Sequence, residues 1–595
     1  PVVQFFKKGL HSGKGEGPFL HLNCNIGLMT IHPDLPTIFT TNRTQTRVDE
    51  IANAYYEKCL ELDPASATLE GRKGRENEYA DFSPAGTAAN IAVIRETLEQ
   101  LNQAEITDDI DKVTVDAMQE RLGLELELHE AGLGTWEINN LASPIQGIRS
   151  VFDLMNRNNE EDWGFIAGRL HNVASALAGY IESLEEAHTR GCVAAVRQVD
   201  TAIEQVTAYI ADGGFFDALA AEVAEAAPTH ADHAKEGAAS AKAGYGKLLT
   251  YLQETLRPAA PQEDAVGRKR YSLYSRQFVG TTLDLEETYA WGIEELDRII
   301  AAQQEVAEEI KPGASIEEAK AALDADPART LHGTDELQAW MQKLSDEALD
   351  FLSKEHFTIE GPLRNLECMI APTQEGGIYY TGPSADFERA GRMWWSVPEG
   401  EDTFGTWREV STVYHEGTPG HHLQIATATA MAESLNNWRA SACWVSGHGE
   451  GWALYAERLM DELGYLADPG DRMGMLDAQR LRAARVVFDI GLHCGFEIPQ
   501  RWVEELGIEP GIWDADRGYR FLEANLDMSD GQRRFEFLRY LGWPGQAPSY
   551  KVGERLWLQL REDARAAGVS DRDFHTRALM LGSVGLDTLK RALGY

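Results

Sequence analysis

Apolar residues recur at three- and four-residue steps along most of this chain, separated by acids, alanines and glutamines, and that spacing predicts amphipathic helices. The runs cover Arg47 to about Leu69, Thr87–Leu101, Ile110–His129, Trp163–Leu184, Gly191–Ile210, Phe215–Ala226, Ala231–Leu256, Ser272–Phe278, Leu283–Ile310, Ile316–Ala325 and Thr334–Phe351. Asp284 is placed to cap the ninth of them. Thr135–Phe152 is less regular, its isoleucines scattered among asparagines and glycines. No fixed period recurs, and helices of such unequal length argue against a regular solenoid.

The texture changes at about His356. Phe357–Pro362, Leu366–Pro372, Gly377–Thr381 and Arg392–Val397 are short aromatic or β-branched runs set off by Gly and Pro, which predicts a small sheet. Helical spacing then returns over Glu409–Ala432, Gly447–Leu463, Arg472–Cys494, Pro499–Glu505, Ile512–Met528, Arg533–Leu541, Ser549–Ala566 and Arg572–Leu581. The expected fold class is mainly α. Three regions are expected: an N-terminal extension over 1–28, because Met29-Thr30-Ile31-His32-Pro33 reads like a natural start; a helical region over 29–355; and a catalytic region over 356–595.

Charge narrows the partners. Lys+Arg 55 against Asp+Glu 95 leaves a net charge of −40, which repels nucleic acid and anionic membranes. Most of these acids are expected on solvated helix faces. The six cysteines are scattered without paired spacing, so free thiols in a reducing, cytoplasmic setting are expected. Nothing approaches 18 consecutive apolar residues.

The densest chemistry is Val413-Tyr414-His415-Glu416-Gly417-Thr418-Pro419-Gly420-His421-His422-Leu423-Gln424. It departs from the HExxH zinc helix, whose histidines at i and i+4 share a face with the general-base glutamate between them. Position i+4 from His415 is Pro419. In an unbroken helix His421 points off the face of His415, and His422 returns to it ~10 Å away at about 1.5 Å rise per residue, too far for one zinc held at ~2 Å. Either the stretch binds no metal, its histidines being surface or satisfied core groups, or the helix is broken. Pro419-Gly420 is a dipeptide that breaks helices. A local bulge absorbing two residues would bring His421 to the i+4 place, making His415 and His421 ligands, Glu416 the base and His422 a neighbour.

A zinc hydrolase needs a third protein ligand and an open position for water. Glu450, 35 residues after His415, opens an apolar helix in His448-Gly449-Glu450-Gly451-Trp452-Ala453-Leu454-Tyr455-Ala456-Glu457, with Glu457 on the same face behind it. Alternatively Glu450 is an acid favoured at a helix start. Arg485, Asp489 and His493 stand at four-residue steps and can pair as an internal row. Tyr550 follows a Pro/Gly loop, and it or His493 is a candidate to hold an oxyanion.

Four blocks, His-Glu-x-x-Pro-Gly-His-His-Leu-Gln from His415, Glu-Gly-Trp-Ala-Leu-Tyr-Ala-Glu from Glu450, Arg-x-x-x-Asp-x-Gly-x-His from Arg485 to His493, and Pro-Gly-Gln-Ala-x-x-Tyr-Lys-x-Gly from Pro544 to Gly553, together resemble the large bacterial family of unknown function numbered 885, a relative of the zincin metallopeptidases. The resemblance covers about 355–595, while the N-terminal half agrees only in length and helical character. It implies a helical fold of the oligopeptidase and angiotensin-converting-enzyme kind, two lobes flanking a deep channel with the metal on its floor. It also implies His415, His421 and Glu450 as Zn2+ ligands, Glu416 as base, and His421 rather than His422 at the metal. The function expected is zinc-dependent hydrolysis of peptide bonds in short peptides, with Arg485 as a reader of a substrate carboxylate. The alternatives are hydrolysis of a non-peptide amide and a non-catalytic helical binding protein.

Overall fold

The computed structural model describes residues 43–372 and 377–595, so the extension expected at 1–28 lies outside the described residues. Helices dominate, and several begin at a side-chain cap. At the first, Arg47–Leu62, the Thr46 hydroxyl accepts the Asp49 N–H while the Asp49 carboxylate accepts the Thr46 N–H, so two donors without helical partners are satisfied at once. Asp284 caps Leu285–Ile310 as expected, accepting from the N–H groups of Glu286 and Glu287. The irregular Thr135–Phe152 stretch forms a short helix, Pro144–Ser150, followed by a 3-10 turn.

Two hydrophobic cores organise these helices. One gathers residues between Leu124 and Tyr274, mainly from Glu160–Thr189, Val196–Ile210, Phe215–Ala226 and Ala231–Tyr251. The other joins the residues on either side of that insertion, from Val48 to Leu122 and from Tyr271 to Leu593. Residues 48–122 therefore pack with the region expected to be catalytic.

The small sheet forms beside that region. Strands β1 (Thr330–His332), β2 (Leu366–Ile370), β3 (Ile378–Thr381), β4 (Gly391–Trp395) and β5 (Thr403–Gly405) make two sheets. β2 runs parallel to β4, with Cys368 opposite Met393, and β3 runs antiparallel to β4, with Tyr380 opposite Met393. β1 pairs antiparallel with β5, a pair too short for alternation to reveal. Phe357–Pro362, expected as a strand, joins no sheet: Phe357–Glu360 has no regular structure and Gly361–Arg364 is a 3-10 turn.

Five helices frame the histidine stretch: α1 (Thr406–Glu416), α2 (His421–Ala430), α3 (Ser446–Glu462), α4 (Pro469–Cys494) and α5 (Ser549–Ala566). The helix expected over Glu409–Ala432 is thus two helices, not one with a bulge, because the Gly417–Gly420 turn ends α1 outright. α3 crosses α5 with almost no separation. A Cβ on Gly553 would lie 2.1 Å from the Gly447 carbonyl oxygen, and one on Gly451 would lie 2.5 Å from the Gly553 carbonyl carbon. The Ser446 and Ser549 hydroxyls meet at 2.8 Å beside this crossing.

Gly553→Ala is expected to lower the thermal unfolding midpoint, at a cost of about 3 kcal/mol from overpacking. Gly246→Ala, in a helix where a Cβ meets nothing within 4 Å, is expected to raise it slightly, by roughly 0.5–1 kcal/mol. Equal effects in a melting experiment would contradict the close crossing.

Candidate metal centre

The turn between α1 and α2 decides where the imidazoles stand. α1 closes on Glu416, the Thr418–Pro419 peptide is cis, and Gly420 turns back so that its N–H donates to the Tyr414 carbonyl at 3.1 Å. A Cβ at Gly420 would sit 1.9 Å from the His415 carbonyl oxygen. Only glycine lets the chain fold this tightly against the last turn of α1. The first residue of α2 is then His421, whose ring centroid lies 4.9 Å from that of His415 with the planes nearly perpendicular, at 87°. The indole N–H of Trp452, two residues past Glu450 on α3, donates to the carbonyls of Pro419 at 2.9 Å and Gly420 at 3.2 Å. The turn is thereby tied to the helix that brings the carboxylate.

Glu450 completes a triangle. One of its carboxylate oxygens lies 3.4 Å from His415 Nε2 and 3.5 Å from His421 Nε2, and all three ligand atoms lie within 4.8 Å of one another. Ligands bound tetrahedrally at zinc distances of 2.0–2.1 Å stand ~3.3–3.4 Å apart. The donor set fits a first-row divalent cation, with two imidazole nitrogens and one carboxylate oxygen, all from buried residues. Behind it, His415 Nδ1 donates to Glu457 at 2.8 Å, so that once Nε2 gives up its proton its lone pair faces the triangle. Burial opposes charge on His415, but Glu450 and Glu457 outweigh it and push the imidazole up to about 9. The cluster thus favours a positive charge between its carboxylates.

Glu416 follows His415 as the last residue of α1 and is buried with it. His422 is turned the other way. Its Nε2 donates to the Leu363 carbonyl and its Nδ1 accepts from the Tyr380 hydroxyl, both at 2.9 Å. Burial pushes it down to about 4.

The Arg485–Asp489–His493 row does not pair along α4. Each member finds a partner elsewhere, because buried charges take the nearest groups that satisfy them fully. Arg485 donates from Nε to Tyr540 Oη at 2.6 Å and from Nη2 to Glu536 at 2.8 Å. Its guanidinium lies 5.1 Å over the ring of Tyr550, in the first turn of α5. Burial works against a charged Glu536, yet Arg539 and Arg485 hold it down to about 2. The Asp489 carboxylate accepts from Tyr271 at 2.6 Å and from the Gly545 N–H at 2.9 Å, anchoring the loop before Tyr550; burial pushes it up to about 7. His493 Nε2 donates to the Tyr540 carbonyl at 2.9 Å and its Nδ1 accepts from the Val266 N–H at 3.4 Å. Both its ring nitrogens are thus taken by backbone.

The fold therefore gathers His415, His421, Glu450, Glu457 and Glu416 in one place, sets Arg485 against Tyr550, and commits His493 and His422 to backbone and phenol partners. Trp444 was missed by sequence reasoning. Its ring lies 6.3 Å from that of His421, and a tryptophan six residues before Glu450 was the only signal available.

Residues 64–593 match the family described as "Bacterial protein of unknown function (DUF885)". The chain belongs to this family. Among solved structures, a "putative lipoprotein" from Colwellia psychrerythraea is similar over 92% of this chain and 98% of its own, with a TM-score of 0.75 at 20% identity. A "putative lipoprotein of unknown function" from Shewanella oneidensis is similar over 91% and 99%, with a TM-score of 0.69 at 15% identity. At such identities the likeness is one of fold. No curated protein matches the chain. Among the described residues of this DUF885 member, no helix is long and apolar enough to cross a membrane.

The neutrality of His493 has a measurable sign. Burial pushes it down to about 4, only partly offset by the Tyr540 carbonyl, whereas an unfolded imidazole titrates near 6.5. Between those values the unfolded chain takes up a proton that the native chain refuses, so this residue's contribution is full at neutral pH and lost as pH falls. The destabilisation caused by His493→Gln is therefore expected to shrink by on the order of 3 kcal/mol between pH 7 and pH 4, read from unfolding curves at each pH. A gap that stays constant or widens would mean a charged imidazole.

Proposed function

We propose that this DUF885 protein is a zinc-dependent hydrolase of peptide bonds in short peptides. The observation that carries the reading is the buried triangle of His415 Nε2, His421 Nε2 and Glu450, with edges to the carboxylate of 3.4 and 3.5 Å, backed by Glu457 on His415 and followed in sequence by Glu416.

Zinc bound there would supply a Lewis acid that polarises a carbonyl and lowers the pKa of water. The chain's own groups would do the rest. Glu457 holds the His415 tautomer so that Nε2 faces the cation. Glu416 takes the proton of the attacking water and passes it to the leaving amine. Tyr550 is the group we assign to the developing oxyanion. We prefer it to His493, whose Nε2–H is already given to the Tyr540 carbonyl. Arg485 supports Tyr550 from beneath its ring. With its guanidinium engaged by Glu536 and Tyr540, it is not assigned to a substrate carboxylate.

A two-lobed zincin-like fold around a deep channel is part of the same reading, and it would admit short peptides in preference to folded proteins. The net charge of −40 supports a peptide partner over nucleic acid or an anionic membrane. The five described cysteines are free, in keeping with a reducing, cytoplasmic location. The names of the two neighbours favour the cell envelope for them, and fractionation of cells distinguishes the two locations for this chain.

Glu416→Gln is expected to retain bound zinc and to lower kcat for short peptides at least ~100-fold. Both are read on the purified full chain, zinc by elemental analysis and cleavage by chromatography of the products. Undiminished cleavage by the variant would overturn the assignment of the base.

A further inference from the structure

Trp444 stands between a π-helical turn, Trp438–Ala442, and the start of α3. Its neighbours Cys443 and Val445 are buried. Their N–H groups are anchored, that of Cys443 to the Trp438 carbonyl at 2.8 Å and that of Val445 to the Ser583 hydroxyl at 3.3 Å. The indole is therefore held by a fixed backbone. One edge of it packs on Gly449, where a Cβ would lie 2.2 Å from Cη2 and 2.4 Å from Cζ2. Any other residue there would push the ring off α3, one position before Glu450. The indole also meets His421, at 6.3 Å between centroids and 46° between planes.

Trp407, Trp438, Trp452 and Trp557 are buried, whereas Trp444, like Trp291, Trp340, Trp394 and Trp543, is partly exposed. A single exposed aromatic is ordinary on a protein surface. Trp444 differs in position, because it touches one residue of the buried triangle and packs on the residue preceding another. A ligand whose carbonyl sits at the triangle brings its adjoining side chain within reach of this flat apolar face, and covering that face is favourable.

We propose that Trp444 is the wall against which the substrate's side chain beside the scissile bond packs, so that the preferred substrates are short peptides with a large apolar or aromatic residue there. The proposal rests on the peptide-hydrolase reading and adds to it the substrate class.

The test uses the full chain loaded with zinc and tetrapeptides that differ only in one residue flanking the cleaved bond, on either side: Phe, Leu, Ala or Lys. Wild type is expected to favour Phe over Ala in kcat/KM by about 10-fold or more. Trp444→Ala should bring the ratio to within about 2-fold, and Trp444→Phe should keep most of it. Because turnover of a variant can vanish for other reasons, calorimetric binding to Glu416→Gln provides a second readout. The Phe tetrapeptide should bind about 10-fold tighter than the Ala one, and the difference should disappear in Glu416→Gln/Trp444→Ala. Zinc content, measured on every protein, separates the two levels of the reading. A wild-type chain that takes up no zinc overturns the hydrolase reading and this proposal with it. A zinc-loaded chain whose Phe-to-Ala ratio is the same with and without the indole, or that prefers Lys, overturns the role of Trp444 alone, whereas one that binds and cleaves none of the peptides overturns the peptide-hydrolase reading as well.

Discussion

The site depends on one contact that leaves no room for a side chain, that of Gly420 against the His415 carbonyl. A Cβ there would lie 1.9 Å from that oxygen. If α1 continued past Glu416, His421 would leave the His415 face and climb about 1.5 Å per residue along the axis. The fold-back reverses this, and the two imidazoles end 4.9 Å apart. It also presents the Pro419 and Gly420 carbonyls to a single indole N–H, that of Trp452. Since Trp452 and Glu450 share the first half of α3, the same bond that fixes the turn fixes the carboxylate relative to it. Three ligand atoms from three helices are registered by one turn and one tryptophan.

The electrostatics follow from that registry. Elsewhere in this core some charges are paired with neighbours: Glu536 with Arg485 and Arg539, and Lys551 with Glu554 at 2.5 Å and Glu295 at 2.9 Å. Burying an ion without such a partner is expensive. Around His415 the imbalance runs the other way, with Glu450 and Glu457 on either side pushing its imidazole up to about 9 against burial. A divalent cation between the imidazoles would meet the same demand for positive charge, with ligand deprotonation coupled to its binding.

Much of this was legible in the sequence. Helical spacing gives most of the helices, since amphipathic period survives in long runs, and the four blocks name His415, His421, Glu450 and Glu457 together. What was not legible was geometry set by contacts distant in sequence. Pro419-Gly420 announces a break, but whether the chain bulges or turns back depends on Trp452, 32 residues on from Gly420. The choice between His421 and His422 depends on Tyr380 and the Leu363 carbonyl, which claim His422 from the sheet side. The four-residue spacing of Arg485, Asp489 and His493 suggested mutual pairing, yet Tyr271, Glu536 and Tyr540 from other helices satisfy them better. β1 and β5 are three residues each, too short for period-two patterning.

In the proposed site one turn and one crossing helix bring His415, His421 and Glu450 together to hold zinc. Zinc stoichiometry after equilibrium dialysis tests it most directly, on the wild-type chain, His421→Ala and His422→Ala. One zinc per wild-type chain is expected, with loss of tight binding in His421→Ala and retention in His422→Ala. A wild-type chain that holds no zinc, or a His421→Ala chain that holds it as tightly, would rule out this zinc site.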